Sequence, residues 1–230
     1  MLGSLILAAV LFVGSHFALS HPFRAPLVER VGPGLFALAY SLVATVTLVW
    51  LVLVWRGMPH VTPTWRLPEW GWAVAALVML AASVLFAGSV VGNPALSQPG
   101  ADAMAERTPM GMLAVTRHPM MWSFALWAAV HVLVWPTPDN AVLTGAVAVL
   151  ALGGAAGQDR RKDREMGGSW RGWRARTGFV PFAVMLEGRA SWRQAWPGWG
   201  VLALALAIWL AASWAHGPLA GQLVGVWRGS

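Results

Sequence analysis

Two histidines stand in stretches without a charge. His16 lies in Val13-Gly14-Ser15-His16-Phe17-Ala18-Leu19 and His131 in Leu126-Trp127-Ala128-Ala129-Val130-His131-Val132-Leu133, with no acid or base within four residues of either. An imidazole in such surroundings hydrogen-bonds across helices, lines a wet cavity or binds a metal. The chain has no cysteine, which excludes disulfides, thiolate ligands, iron–sulfur clusters and thiol nucleophiles. A metal or haem would therefore rest on histidine. If His16 and His131 meet, they can supply the axial pair of a b-type haem in a helix bundle. Periodicity alone does not bring them together: counted inward at about 1.5 Å per residue, His16 is roughly 10 Å shallower than His131.

A second set of residues gathers at helix ends. His21-Pro22 and His118-Pro119 each place an imidazole before a proline, where the backbone is pushed out of the helical region. On ideal helices His21 is about 140° around from His16, and His118 about 140° around from His131, so neither pair readily chelates one ion. Arg117 beside His118 forms a cationic rim suited to a haem propionate, a phosphate headgroup or an acidic substrate. Gln158-Asp159-Arg160-Arg161 directly follows an apolar run. Bases there need no reason beyond anchoring the helix, but Asp159 could hold Arg117 or Arg24 and close a polar cavity between helix ends. His60 and His216 fall toward the other side, and nothing in the sequence gives them a role.

The elements that carry these residues belong in a bilayer. Of the 230 residues 57% are hydrophobic and 11% charged, and mean hydropathy is +0.60, which leaves too little polar surface for a soluble domain. Charge-free stretches at 1–20, 34–55, 70–92, 119–135, 141–157 and 199–215 predict an all-α bundle of six transmembrane helices in a single domain, residues 1–230. Of the sixteen Lys and Arg, only Arg56, Arg66 and Arg228 fall outside the loops that follow the first, third and fifth stretches. The positive-inside rule then puts loops 21–33, 93–118 and 158–198 in the cytoplasm and both termini on the opposite side, as in a bacterial inner-membrane protein. The net charge of +7 reports this topology rather than a nucleic-acid partner, and no phosphate-binding glycine motif is present. Within 158–198, Gly167-Gly168 breaks the charged continuation of the fifth helix. The run from Ser169 to Leu186, with Trp170 and Trp173 among arginines, reads as an interfacial segment dipping toward lipid. Most of the sixteen tryptophans read as interfacial belt residues.

Several ordered motifs resemble one family. Gly14-Ser15-His16-Phe17-Ala18-Leu19-Ser20-His21-Pro22 with Arg24-Ala25-Pro26-Leu27-Val28, then Val115-Thr116-Arg117-His118-Pro119, Trp127-Ala128-Ala129-Val130-His131, Gln158-Asp159-Arg160-Arg161-Lys162 and Thr177-Gly178-Phe179-Val180-Pro181-Phe182 resemble NnrU membrane proteins over most of residues 1–185. The resemblance implies an association with nitric oxide metabolism and denitrification. That family is similar to the haem b enzyme zeta-carotene isomerase, whose two ligand histidines correspond to His16 and His131. This implies haem b held by His16 and His131, with Arg24, Arg117, His118 or Arg160 near the propionates and His21, Gln158, Asp159 and Arg161 on the polar rim. The chemistry would then be redox, nitric oxide handling or isomerisation of a membrane-dissolved polyene. The isomerase has a cysteine where this chain has Ala128, so a thiolate ligand switch is not available. A more distant likeness runs to isoprenylcysteine carboxyl methyltransferases. It implies S-adenosylmethionine held by Arg117, His118, Asp159 and Arg176, with a lipid-like substrate. A third reading is a non-enzymatic assembly or regulatory membrane partner.

Overall fold

The structure, a computed structural model, describes residues 1–59, 61–96 and 98–228. It is all-helical, with no strand among the described residues. Five helices are long and apolar enough to cross a membrane: α1 (Leu2–Ser20), α2 (Arg24–Arg56), α3 (Glu69–Gly88), α7 (Pro138–Met166) and α10 (Trp199–Ala220). Between them lie the short helices α4 (Ala101–Glu106), α5 (Met112–Val115), α8 (Gly168–Arg176) and α9 (Ala183–Leu186), together with α6 (Pro119–Val134). Five of the six expected spans have that length among the described residues, and α6 is shorter. Its 16 residues reach about 24 Å at 1.5 Å each, short of a hydrocarbon core of about 30 Å. Apart from Ser123 and His131 it is apolar, and it packs between α3 and α7. Proline in the first turn of α6 and of α7 costs no hydrogen bond there, because those N–H groups have no helical partner.

Neighbour contacts order the long helices as a row: α2, α1, α7, α6, α3, α10. Hydrophobic side chains cover its outside, as lipid-facing helices require; in α2 only Phe36 and Leu51 are buried. The segment 21–33, expected as a loop, is largely helix. α2 starts at Arg24 and is broken only where Gly32 takes φ 79° before Pro33, a left-handed conformation suited to glycine.

The row's register is set by small residues on α7. A Cβ at Gly153 would meet the Phe17 ring, and one at Gly157 would overlap His21. Leu5, Ala8, Ala9 and Phe12 of α1 pack with Leu143 and Ala146. α1 and α7 therefore run parallel, the end of α1 lying at the level of 153–157.

At that end of the bundle the short helices form a cap. Trp170 and Trp173, three apart on one face of α8, are 0% and 1% exposed against Ala95, Ala105 and Leu113. They are the cap's own core and not lipid-facing belt residues, a correction to the interfacial reading. Val184 and Met185 are likewise buried, against Leu85, Met112 and Val115.

Candidate functional site

His16 and His131 do not meet. His16 donates from Nδ1 to the Phe12 carbonyl at 2.7 Å and lies edge-on to Tyr40 of α2. His131 pairs through Nδ1 with the Trp127 carbonyl at 2.8 Å and stacks on Trp127 and His216. Along α7 the two are at different levels: the Asn140 side chain donates to the His131 carbonyl, whereas Phe17, next to His16, abuts Gly153. Thirteen residues of helix separate those levels, roughly 20 Å. The two faces of one porphyrin iron need both ring nitrogens within a few ångström, and among the described residues no ring contact joins His16 to His131, each being engaged with its own neighbours. The physical reason is the parallel packing of α1 on α7, which holds His16 near the cap while the α6–α7 hairpin holds His131 at the far end. His60 lies outside the described residues.

His21, Arg24 and Arg161 occupy one side of the α7 extension. The His21 ring packs on Gly157 and Phe17, and its Nε2 is buried without a hydrogen bond. Burial, reinforced by Arg161, Arg164 and Arg160, lowers its pKa below the usual histidine value. Arg24 lies over the Phe36 ring and 3.9 Å from Glu165, which also faces Arg161 at 3.6 Å. Arg160 is exposed. None of these residues is bonded to Arg117, His118 or Asp159.

The opposite side of α7 gathers the other candidates into one buried centre. Arg117 Nε and Nη2 donate to the Asp159 carboxylate at 2.5–3.0 Å, and Nη1 donates to the Thr177 carbonyl at 3.1 Å. His118 Nε2 lies 2.8 Å from Asp159 Oδ1. Arg117, His118 and Asp159 are 7%, 2% and 7% exposed. Burial opposes ionisation of Asp159, but the hydrogen bonds from His118 and Arg117, with their charges, outweigh it and lower its pKa to about 2. An ionised carboxylate only accepts, so the His118 proton sits on Nε2. Nδ1 is buried with no partner among the described residues. Phe179 stands edge-on to the His118 ring and under the Arg117 guanidinium.

Local backbone geometry explains the convergence. His118 is the residue before Pro119 and takes φ −124°, ψ 53°, outside the helix as that position requires. Strand-like pairing zips residues 115–117 onto 178–182: Arg117 N donates to Gly178 O, Phe182 N to Val115 O, and the Thr116 hydroxyl to Phe179 O. Gly178 allows this approach, since a Cβ there would sit 2.7 Å from the Val180 carbonyl oxygen.

Gln158 donates to Ala95 O, and Lys162, 4% exposed, to Leu96 O. Both tie α7 to the segment after α3, and the apolar flank gave Lys162 no signal of burial. Arg176 donates to the carbonyls of Ala105, Glu106 and Arg107, closing the end of α4. It is thus engaged away from Arg117 and Asp159, which satisfy each other, and this arrangement leaves little of the S-adenosylmethionine ligand set free.

Beside the centre a cavity of about 470 Å³ is lined by Arg117, Arg171, Arg174 and Arg189, with Thr177, Phe179 and Glu187 among its other walls. A second, of about 20 Å³, lies between His118, Met121, Asn93 and Gln158, room for one water. Among the described residues no three His, Cys, Asp or Glu side chains form a metal-binding group.

These features define a polytopic helical membrane protein with a polar centre buried under a cap at one end of its bundle. The family model described as NnrU protein matches residues 4–224, and the chain belongs to the NnrU family. No curated protein and no solved structure matches it.

Proposed function

We propose that this NnrU-family protein works through its cap, which the Lys and Arg distribution assigns to the cytoplasmic side. In this reading the cap binds the anionic head of a membrane-dissolved ligand, and His118, oriented by Asp159, exchanges a proton beside it. One observation carries the reading: His118 is held through Nε2 on an ionised carboxylate while its buried Nδ1 has no partner among the described residues. A carboxylate that fixes tautomer and ring orientation, leaving the other nitrogen to take or give a proton, is how an acid–base imidazole is built. Arg117 holds Asp159 ionised and also lines the larger cavity, so ligand charge and imidazole share one guanidinium. The family resemblance supplies the physiological setting, nitric oxide metabolism.

The test is complementation in a denitrifying host deleted for this protein, grown on nitrite, with membrane levels checked by immunoblot. His118→Gln at normal levels loses function, while His16→Ala and His131→Ala retain it. The reverse pattern overturns the proposal and returns the site to the helix interior.

A further inference from the structure

We propose that the arginine-lined cavity of the cap is a phosphate site, taking the phosphate of an anionic amphiphile whose apolar part lies along the exposed hydrophobic rim. The inference rests on the reading of the cap as the working face and names the ligand chemistry.

Bases flanking a membrane helix usually form a scattered, solvated face. Here they surround a concavity. Trp170 and Trp173 anchor α8 by its buried face, which fixes Arg171 and Arg174, one turn apart, along the cavity wall. Arg117 forms part of the wall from the buried side. Arg189 completes the set, held by Glu187 and by the Ala175 carbonyl, to which its Nη1 donates at 2.7 Å.

Charge does not balance within this cavity. Glu187, the one acid in its lining, is already paired with Arg189. Arg171 reaches an acid only at 3.7 Å, on Asp163. The Arg174 guanidinium has no hydrogen bond or ion pair among the described residues. Several guanidinium groups converging with N–H capacity to spare match the oxygens of a phosphate, which accepts forked donors from more than one direction.

The rim indicates the rest of the ligand. Val180 is 54%, Phe182 42% and Leu186 76% exposed, and Phe182 stacks on the exposed Trp192. A charged hollow beside exposed apolar side chains, at the end of a lipid-facing bundle, fits headgroup height at a membrane surface. A membrane phospholipid and a free phosphate share the recognised group, and the experiment separates them.

Full-length protein is purified in detergent and reconstituted into nanodiscs of phosphatidylcholine containing phosphatidylglycerol. Lipids retained on re-extraction are quantified by mass spectrometry, and inorganic phosphate is titrated by calorimetry. Variants are Arg171→Gln/Arg174→Gln and, as a control, Arg160→Gln, an exposed base outside the cavity. The targeted side chains are exposed, so melting behaviour is expected to match wild type and is measured. Wild type enriches phosphatidylglycerol over phosphatidylcholine, and the double variant loses at least about tenfold of that preference, as two charge-assisted contacts imply; Arg160→Gln does not. Phosphate binding with the same variant dependence, without lipid enrichment, identifies a free phosphate as the source. If Arg160→Gln loses as much as the double variant, or if neither probe separates wild type from the double variant, the site does not exist. Lipid selectivity that survives in a wild-type background while His118→Gln complements fully would remove only the proton-exchange reading.

Discussion

Asp159 takes two partners at once, and that makes it the residue on which the cap depends. A buried ion pair is a weak source of net stability, but removing one member leaves the other charge uncompensated, at about 3–5 kcal/mol. Asp159→Ala strands Arg117 in this way, and its melting temperature in detergent is expected to fall sharply, with Asp159→Asn intermediate. The pH dependence follows from the low carboxyl pKa. In the unfolded chain the group takes up its proton near 3.8 and in the folded protein only near 2. The stabilisation is therefore complete above that window and is lost as pH falls through it. His21 acts in the same direction from a higher pH. Its folded pKa lies below 6.5, so the unfolded chain binds the proton first, and stability declines as pH drops below that value. Thermal melts from pH 7 to about pH 2 should show both losses; His21→Asn should flatten the upper one and Asp159→Asn the lower. At this scale the sequence was half legible. An acid at the end of an apolar run announces a buried partner, and Arg117 and Arg24 were both in reach. The choice between them depends on which side of α7 each approaches, and Lys162 remained hidden because its partner is a backbone carbonyl.

Helices were read well and their packing was not. Each of the six apolar stretches lies almost wholly within one of α1, α2, α3, α6, α7 and α10, the third overrunning the end of α3 by four residues, because hydropathy and length dictate where lipid-exposed helix must continue. Trp170 and Trp173 show the limit: tryptophan among arginines suits a membrane interface and a small buried core equally, and only α4 lying across α8 decides it. The register that separates His16 from His131 was likewise out of reach, since it comes from Gly153 and Gly157 receiving the ends of α1. Close-packed glycines can be tested directly. A Cβ at Gly88 would fall against Met112, 2.8 Å from its Cβ and nearer still to its Cγ, so it cannot be accommodated without shifting α5. Gly88→Ala should cost about 1–3 kcal/mol through overpacking, with partial recovery in Gly88→Ala/Met112→Ala. At Gly145 nothing lies within 4 Å, and Gly145→Ala should be neutral or stabilising by up to about 1 kcal/mol from helix propensity. Detergent melts of the three variants make the comparison.

Taken whole, the molecule is a single row of helices with one capped end, and the function proposed for the cap requires that end to face the cytoplasm. The cap holds nearly all the cations: Arg107, Arg117 and the bases from Arg160 to Arg193 lie in or beside it, against Arg56, Arg66 and Arg228 toward the other end. Short basic loops are retained on the cytoplasmic side, so the cap is expected inside and Gln222, beyond α10, outside. The absence of cysteine makes this measurable, because every introduced thiol is unique. In intact cells a membrane-impermeant maleimide should label Gln222→Cys and leave Glu106→Cys, on the exposed face of α4, unlabelled until the membrane is opened. Labelling of Glu106→Cys from outside would expose the arginine cavity to the opposite leaflet, where neither cytoplasmic phosphate compounds nor inner-leaflet lipids could reach it.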